Sequence, residues 1–416
     1  MSSSAPRTTR TSGIWWVSKR RPPVAKNGDT TRREIRPHDR IFKRRVVSPL
    51  APAREIAFRV LKRVQAGAYA SDLLRRETAA LDPRDARLAE AIVFGCLRFQ
   101  AQLDFLIGYF SGPPPSGLER KLDDEVRIAL RMGIYQLRYL ERIPAHAAVA
   151  ESVELVKLAR KRSAAGFVNA VLRKADRNPV AWPDRATELS VPGWMLERWS
   201  RHYGAEAAER IAAAALQEPE DAINPATGRR QDPGSQSIVP LLEIQPGMTV
   251  LDLCAAPGNK TAQIVAVLGA VLGAAGGAAG AQVVAADRSL ARLAEVPAEA
   301  MRVVLEGGAP LPFAVKFDRI LVDAPCSGTG TLSRNPEIKW RTQPQDIARF
   351  PPIQRRLLER AFEHLKPQGL LVYSTCSLER EENEDVAAGF PVLRTHLRLP
   401  GRDPGDGFFA AVMSGL

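Results

Sequence analysis

From residue 238 onward the chain alternates short apolar runs with helical stretches, and this rhythm restricts the fold more than any other feature. The apolar runs fall at 249–253, 282–286, 301–305, 319–322 and 369–373. Strands joined through helices pair by crossover connections, and successive strands then lie parallel. The second half is therefore expected to be an α/β domain with a doubly wound, mostly parallel sheet. Ligand sites in such sheets sit at the carboxyl ends of the strands.

The first half has a different period. Ile56, Val60, Leu61 and Val64 recur at three- and four-residue steps, which makes one apolar stripe on a helix. Leu88, Ile92, Val93, Cys96 and Leu97 form a second stripe, and Val126 to Leu140 a broader one. Asp82-Pro83 reads as a helix start, with Asp as cap and Pro in the first turn. Gly112-Pro113-Pro114-Pro115 is a hard break. Residues 146–172 read as two further helical stretches, so 49–178 is expected to be an all-α domain. Residues 179–235 read as short helices, with Trp194 and Trp199 as packing residues, followed by a polar loop from 218. Residues 236–416 complete the α/β domain, with a Gly/Ala-rich helix end and loop at 268–281.

The 416 residues carry a net charge of +13, which suggests an acidic partner. The charge is not evenly spread. Residues 1–50 hold thirteen Lys/Arg against Asp29, Glu34 and Asp39, so the rest of the chain is nearly neutral. Residues 1–48 read as a basic disordered leader, with an RNA-binding arm or a transit peptide as alternatives. Four cysteines at 96, 254, 326 and 376 form no CxxC pair, so no metal site is expected and a reducing cytoplasm fits better than secretion. No run of 18 apolar residues marks a membrane span.

Three strand ends carry chemistry. The first runs from Val250 through Cys254, Ala255, Ala256, Pro257 and Gly258 into a helix beginning near Lys260. Small side chains there let the backbone approach a nucleoside cofactor, and the helix start offers free N–H groups. The spacing is neither a Walker A loop nor GxGxxG. The next strand ends in Asp287, where an acid commonly holds ribose hydroxyls. The second strand end delivers Asp323, Pro325 and Cys326, and the third delivers Cys376. One cysteine at a strand tip is commonly core filler. Two on neighbouring strands can face one cleft.

A thiol pair beside a nucleoside cofactor suits methylation of a pyrimidine at carbon 5. That carbon is a poor nucleophile until a thiolate adds at C6 and makes it enamine-like. A nearby acid can hydrogen-bond the base as charge develops, and a second acid/base group can help release the product. The base must first be unstacked. The residues alone do not order the two thiols.

Three motifs carry a family resemblance: LDLCAAPGNKT at 251–261, DAPCSGTGTLSRNPEIKW at 323–340 and YSTCSLEREENED at 373–385. With them the C-terminal half resembles the RsmB/Sun family of RNA cytosine-5 methyltransferases. Residues 53–174 resemble a NusB-like RNA-binding domain through DPRDARLAEAIVFGCLR at 82–98, GIYQLRYLERIPAHAAVAESVELVK at 133–157 and GFVNAVLRK at 166–174. The resemblance implies a multidomain chain: an all-α NusB-like domain followed by an α/β Rossmann-like methyltransferase domain with a mostly parallel sheet. It implies S-adenosyl-L-methionine as methyl donor and small-subunit ribosomal RNA as substrate; the chain is expected to be monomeric and cytoplasmic. By resemblance, Cys376 is the nucleophile, Cys326 assists release of the adduct, and Asp323 lies near the base and the methyl donor. Cys254, Ala255, Ala256, Pro257, Gly258, Lys260 and Asp287 would hold the cofactor, and Lys260 also belongs to the catalytic group. The small RNA-binding subdomain that the family carries is shortened here to a few residues between 218 and 235.

Other readings use the same residues differently. A non-catalytic RNA-binding protein would keep the helical domain and a degenerate cofactor fold. A DNA cytosine-5 methyltransferase uses one Pro-Cys thiol and leaves Cys376 without a role. A redox dithiol would need an activated thiol, which the sequence does not reveal.

Overall fold

The structure is a computed structural model and describes residues 50–113, 121–275 and 282–415. The basic leader at 1–48 and the tip of the Gly/Ala-rich stretch at 276–281 lie outside the described residues.

The N-terminal half is built from α1 (Pro52–Gln65), α2 (Ala70–Glu77), α3 (Pro83–Arg98), α4 (Gln100–Ser111), α5 (Asp124–Tyr139), α6 (Ala145–Leu158) and α7 (Ala165–Lys174). The apolar stripes point inward as expected: Ile56, Val60, Leu61 and Val64 of α1 meet Ile92, Val93, Cys96 and Leu97 of α3 in one core. Fully buried side chains such as Leu103, Leu106 and Leu130 each contribute about 1.5–3 kcal/mol by leaving water. Asp82 caps α3 by accepting from the Arg84 amide at 2.8 Å, with Pro83 as its first residue. α4 ends at Ser111 where Gly112 turns to φ +71°.

Helices Gly193–Tyr203 and Ala205–Ala214 follow. Trp199 is fully buried between them, and Trp194 packs against the same cluster, so both tryptophans serve packing. The polar stretch after 217 forms a turn closed by an Ile223–Arg230 bridge, then the short helix Pro233–Gln236.

The C-terminal half is one sheet of β1 (Thr249–Leu253), β2 (Gln282–Asp287), β3 (Met301–Val304), β4 (Phe317–Asp323), β5 (Leu365–Thr375), β6 (Val392–Arg398) and β7 (Phe408–Ser414). Its order is β3-β2-β1-β4-β5-β7-β6. β1 to β5 are parallel, and β7 runs antiparallel to both β5 and β6. Alternate residues face opposite cores, as the two-residue strand period requires. Leu251, Ile320, Val322 and Leu371 pack on Leu357 and Leu358 of the helix Phe350–Glu363. Val250, Leu321 and Val372 pack on Ile264 and Leu268 of the helix Asn259–Ala275.

Two details differ from the sequence reading. β5 starts at Leu365 rather than 369, because its register with β4 jumps from Phe317–Leu365 to Arg319–Leu370 around Pro367. A proline and a left-handed Gln368 look like a turn in sequence but sit in this irregularity. β6 and β7 add an antiparallel pair that the βαβ rhythm does not announce.

Candidate active site

The expected site residues converge at the carboxyl ends of β1, β2, β4 and β5. The strand order changes direction between β1 and β4, and such a switch point opens a crevice above the sheet.

The loop after β1 is pinned to β2. Cys254 adopts φ +74°, and the amides of Cys254 and Ala255 both donate to Ala286 O at 2.9 Å. Asp287 accepts from the Ala256 amide at 3.2 Å and from the Ser289 amide at 2.8 Å. Arg292 closes the loop from the other side by donating to Ala256 O at 2.7 Å. Gly258 sits at φ +102°, and a Cβ there would lie 2.7 Å from Val296 Cα, so only glycine fits. Beneath the loop, Asp252 is buried and accepts from Thr261 Oγ1 at 2.6 Å. Its second oxygen, Oδ1, finds no partner among the described residues. Burial pushes the Asp252 carboxyl up to about 7. Burial also raises the Cys254 thiol, with Asp287 adding to the shift.

Lys260, at the first turn of the helix Asn259–Ala275, joins this loop to β4. Its Nζ donates to Asp323 Oδ2 at 2.7 Å and lies 5.0 Å from the Phe408 ring centroid. Ser374 Oγ donates to the other oxygen of Asp323 at 2.7 Å from the neighbouring strand, where the two residues are in register. The Asp323 side chain keeps 30% of its surface exposed against 10% for Lys260, so the carboxylate can still be reached.

Beyond Asp323 and Ser374 the two chains turn over the sheet and bring Cys326 Sγ within 3.3 Å of Cys376 Sγ. Both are free thiols. The hydrogen bond to Cys376 and burial raise Cys326 well above the ordinary thiol range. Cys96, by contrast, is a core residue of the helical half.

A buried polar scaffold shapes the thiol loops. Glu382 accepts from the Ser327 amide at 2.8 Å, from Ser377 Oγ at 2.8 Å and from Gln354 Nε2 at 3.1 Å. Thr329 Oγ1 accepts from the Leu378 amide at 2.9 Å, and Asn383 donates to Ser377 O at 2.9 Å. The Gly330 amide donates to Cys376 O at 2.9 Å. Burial raises the Glu382 carboxyl, which its donors partly offset. Neither this scaffold nor the Ser374 bond is visible in the linear sequence. The signal was the run of acids and Asn383 just after Cys376, whose buried geometry a linear reading cannot supply. No group of metal-ligating side chains occurs among the described residues. No single helix among them is long and apolar enough to cross a membrane.

Comparison with known proteins adds to this geometry. Residues 239–400 match the family described as "16S rRNA methyltransferase RsmB/F", and residues 51–177 match the NusB family. Ribosomal RNA small subunit methyltransferase B of Klebsiella pneumoniae (strain 342) is 31% identical, over 86% of this chain and 97% of its own length. The probable ribosomal RNA small subunit methyltransferase B of Bacillus subtilis (strain 168) is 32% identical, over 83% and 91%. The crystal structure of PH0851 covers 88% of this chain and 99% of its own, with a TM-score of 0.68 at 19% identity, a likeness of fold.

Proposed function

The chain belongs to the RsmB/F family of ribosomal RNA small-subunit methyltransferases, and from that premise we propose that it methylates carbon 5 of a cytosine in small-subunit ribosomal RNA. It would act in the cytoplasm as a monomer, with S-adenosyl-L-methionine as methyl donor. The observation that carries this reading is the 3.3 Å approach of Cys326 and Cys376 beside Asp323.

The residues present fit that donor. Gly258 leaves no room for a side chain in the loop, Asp287 stands at the end of β2, and Asp252 holds a buried oxygen without a partner among the described residues. Ala255 to Gly258 and Asp287 would hold the nucleoside part, and Lys260 would keep Asp323 in place. When bound, the donor supplies an electrophilic methyl group.

The chain's own residues would do the rest. The Cys376 thiolate adds to C6 of the flipped cytosine, forming a C–S bond and pushing electrons toward C5. Asp323 hydrogen-bonds the base as its charge changes. After methylation, the C5 proton passes to a water molecule, with Cys326 assisting its removal. The electron pair of that C–H bond restores the C5–C6 double bond, the C–S bond breaks, and Cys376 leaves as thiolate.

The test is a methyl-transfer assay on unmodified small-subunit ribosomal RNA with labelled donor, followed by nucleoside analysis. Label in 5-methylcytidine supports the reading. No transfer would favour a non-catalytic RNA-binding protein, and label in another nucleoside would sink the C5 assignment.

A further inference from the structure

The two halves of the molecule share a joint that the mechanism above does not use. Helices α3 and α4 meet at an angle of 82°. At such a corner the last carbonyls of α3 lose their helical partners. Trp340 Nε1 donates to Leu97 O at 2.6 Å, and Lys339 Nζ donates to Arg98 O at 2.8 Å. Lys339 also donates to Ser190 O at 2.8 Å, and its side chain is fully buried. At the start of α2, where Tyr69 gives no side-chain cap, Glu337 Oε1 accepts from the Ala70 amide at 3.0 Å. One segment of the C-terminal half thus places a carboxyl acceptor at a helix start and an amine donor at a helix end in the other half. Burial lowers the Lys339 amine to about 7, so its hold on the two carbonyls rests on hydrogen bonding and not on a full charge. Arg98 answers by donating to Ser333 O at 3.0 Å.

This segment is continuous with the Cys326 loop. From Cys326 the chain runs past Gly330, held to Cys376 O, and Arg334, held between Asp232 and Asp406. It then enters the joint at Glu337. Between the thiol and the helical half the segment carries a contact every few residues.

We infer that Lys339 is a positioning residue for methyl transfer. By closing the free carbonyls of Arg98 and Ser190 it locks the Cys326 loop to the helical half. RNA held on that half then meets the thiol pair in one fixed register. The inference rests on the methyl-transfer reading for its kinetic consequence, but not for its structural one.

The test compares wild type with Lys339→Met and Trp340→Phe in the full chain. Lys339→Met removes both donated bonds at similar length, and Trp340→Phe removes one donor while keeping a ring, so it guards against a variant that fails to fold. Three measurements are made: donor affinity by calorimetry, kcat and KM for ribosomal RNA, and the rate of Cys326 and Cys376 alkylation by iodoacetamide, read by mass spectrometry. Donor affinity is expected to stay near wild type, because the donor loop lies elsewhere. Methyl transfer by Lys339→Met should fall about tenfold or more in kcat, with a smaller change in KM, and Trp340→Phe should follow in the same direction. Alkylation rates should shift in both variants. Wild-type kcat and wild-type alkylation in both variants would overturn the inference. If the wild type itself transfers no methyl group, the methyl-transfer reading fails, and the alkylation rates alone decide whether the joint positions the thiols.

Discussion

The Gly330 amide donates to the Cys376 carbonyl at 2.9 Å, so the loop that carries one thiol forms the floor under the other. The Gly330 carbonyl in turn accepts from the Gly407 amide at 2.9 Å, which ties both loops to the start of β7. A Cβ at residue 330 would stand 2.4 Å from Gly407 O and 2.8 Å from Cys376 O. Both neighbours are backbone and cannot step aside cheaply. Gly330→Ala is expected to part the thiol loops and lower methyl transfer by about tenfold or more while donor affinity stays intact. Calorimetry with the donor and a kinetic assay on the same sample check both halves of that statement.

The two thiols are expected to fail differently. Cys376→Ala should abolish transfer, because no C6 adduct can form. Cys326→Ala should let a covalent protein–RNA adduct accumulate, seen as a shifted band on a denaturing gel. Normal turnover by Cys326→Ala, or the same band from Cys376→Ala, would reverse or remove the assigned roles.

How much of this was legible in the sequence differs from part to part. The helical stripes, the Asp82 cap and the parallel strands are local patterns, and residues a few places apart carry them. The convergence of Asp287, Asp323, Cys326 and Cys376 follows from parallel strands that all end on one side. The order of the thiols does not follow from any spacing and comes from family resemblance. The Glu382 scaffold, the Ser374–Asp323 bond and the Lys339 joint were illegible, because each pairs residues that meet only after the sheet and helices pack. β7 is an apolar run, Phe408–Ser414, but its insertion between β5 and β6 is a property of the whole sheet.

Glu382 shows what a buried acceptor does when it is removed. Glu382→Ala leaves the Ser327 amide, Ser377 Oγ and Gln354 Nε2 without their acceptor in a site closed to water. A loss of about 2–4 kcal/mol is expected in urea unfolding. Glu382→Gln keeps the shape and one carbonyl acceptor, and is expected to lose less than half of that. Equal losses in the two variants would argue that packing, not hydrogen bonding, holds the loops.

Asp252 gives stability a pH dependence of known sign. Burial raises its carboxyl from 3.8 to about 7, so the folded protein holds this proton more tightly than the unfolded chain does. The contribution is fully present below about pH 4 and is lost as pH rises through about 7. Asp252→Asn has no proton to release there. The melting temperature of wild type is therefore expected to fall relative to Asp252→Asn between about pH 4 and pH 7. A constant difference across that range would mean that Asp252 ionises near its ordinary value.

The place of β7 has a consequence for biosynthesis. β7 comes last among the described strands, yet it lies inside the sheet and pairs with Leu370 to Thr375 of β5. Until residues 408–414 leave the ribosome, β5 is an open edge, and the strand that ends beside Cys376 offers its backbone groups to any passing chain. A prematurely terminated product would thus be both inactive and adhesive. The same arrangement makes the strand beside the thiol site depend on residues 408–414, so a chain that lacks them leaves β5 without the neighbour that borders Cys376.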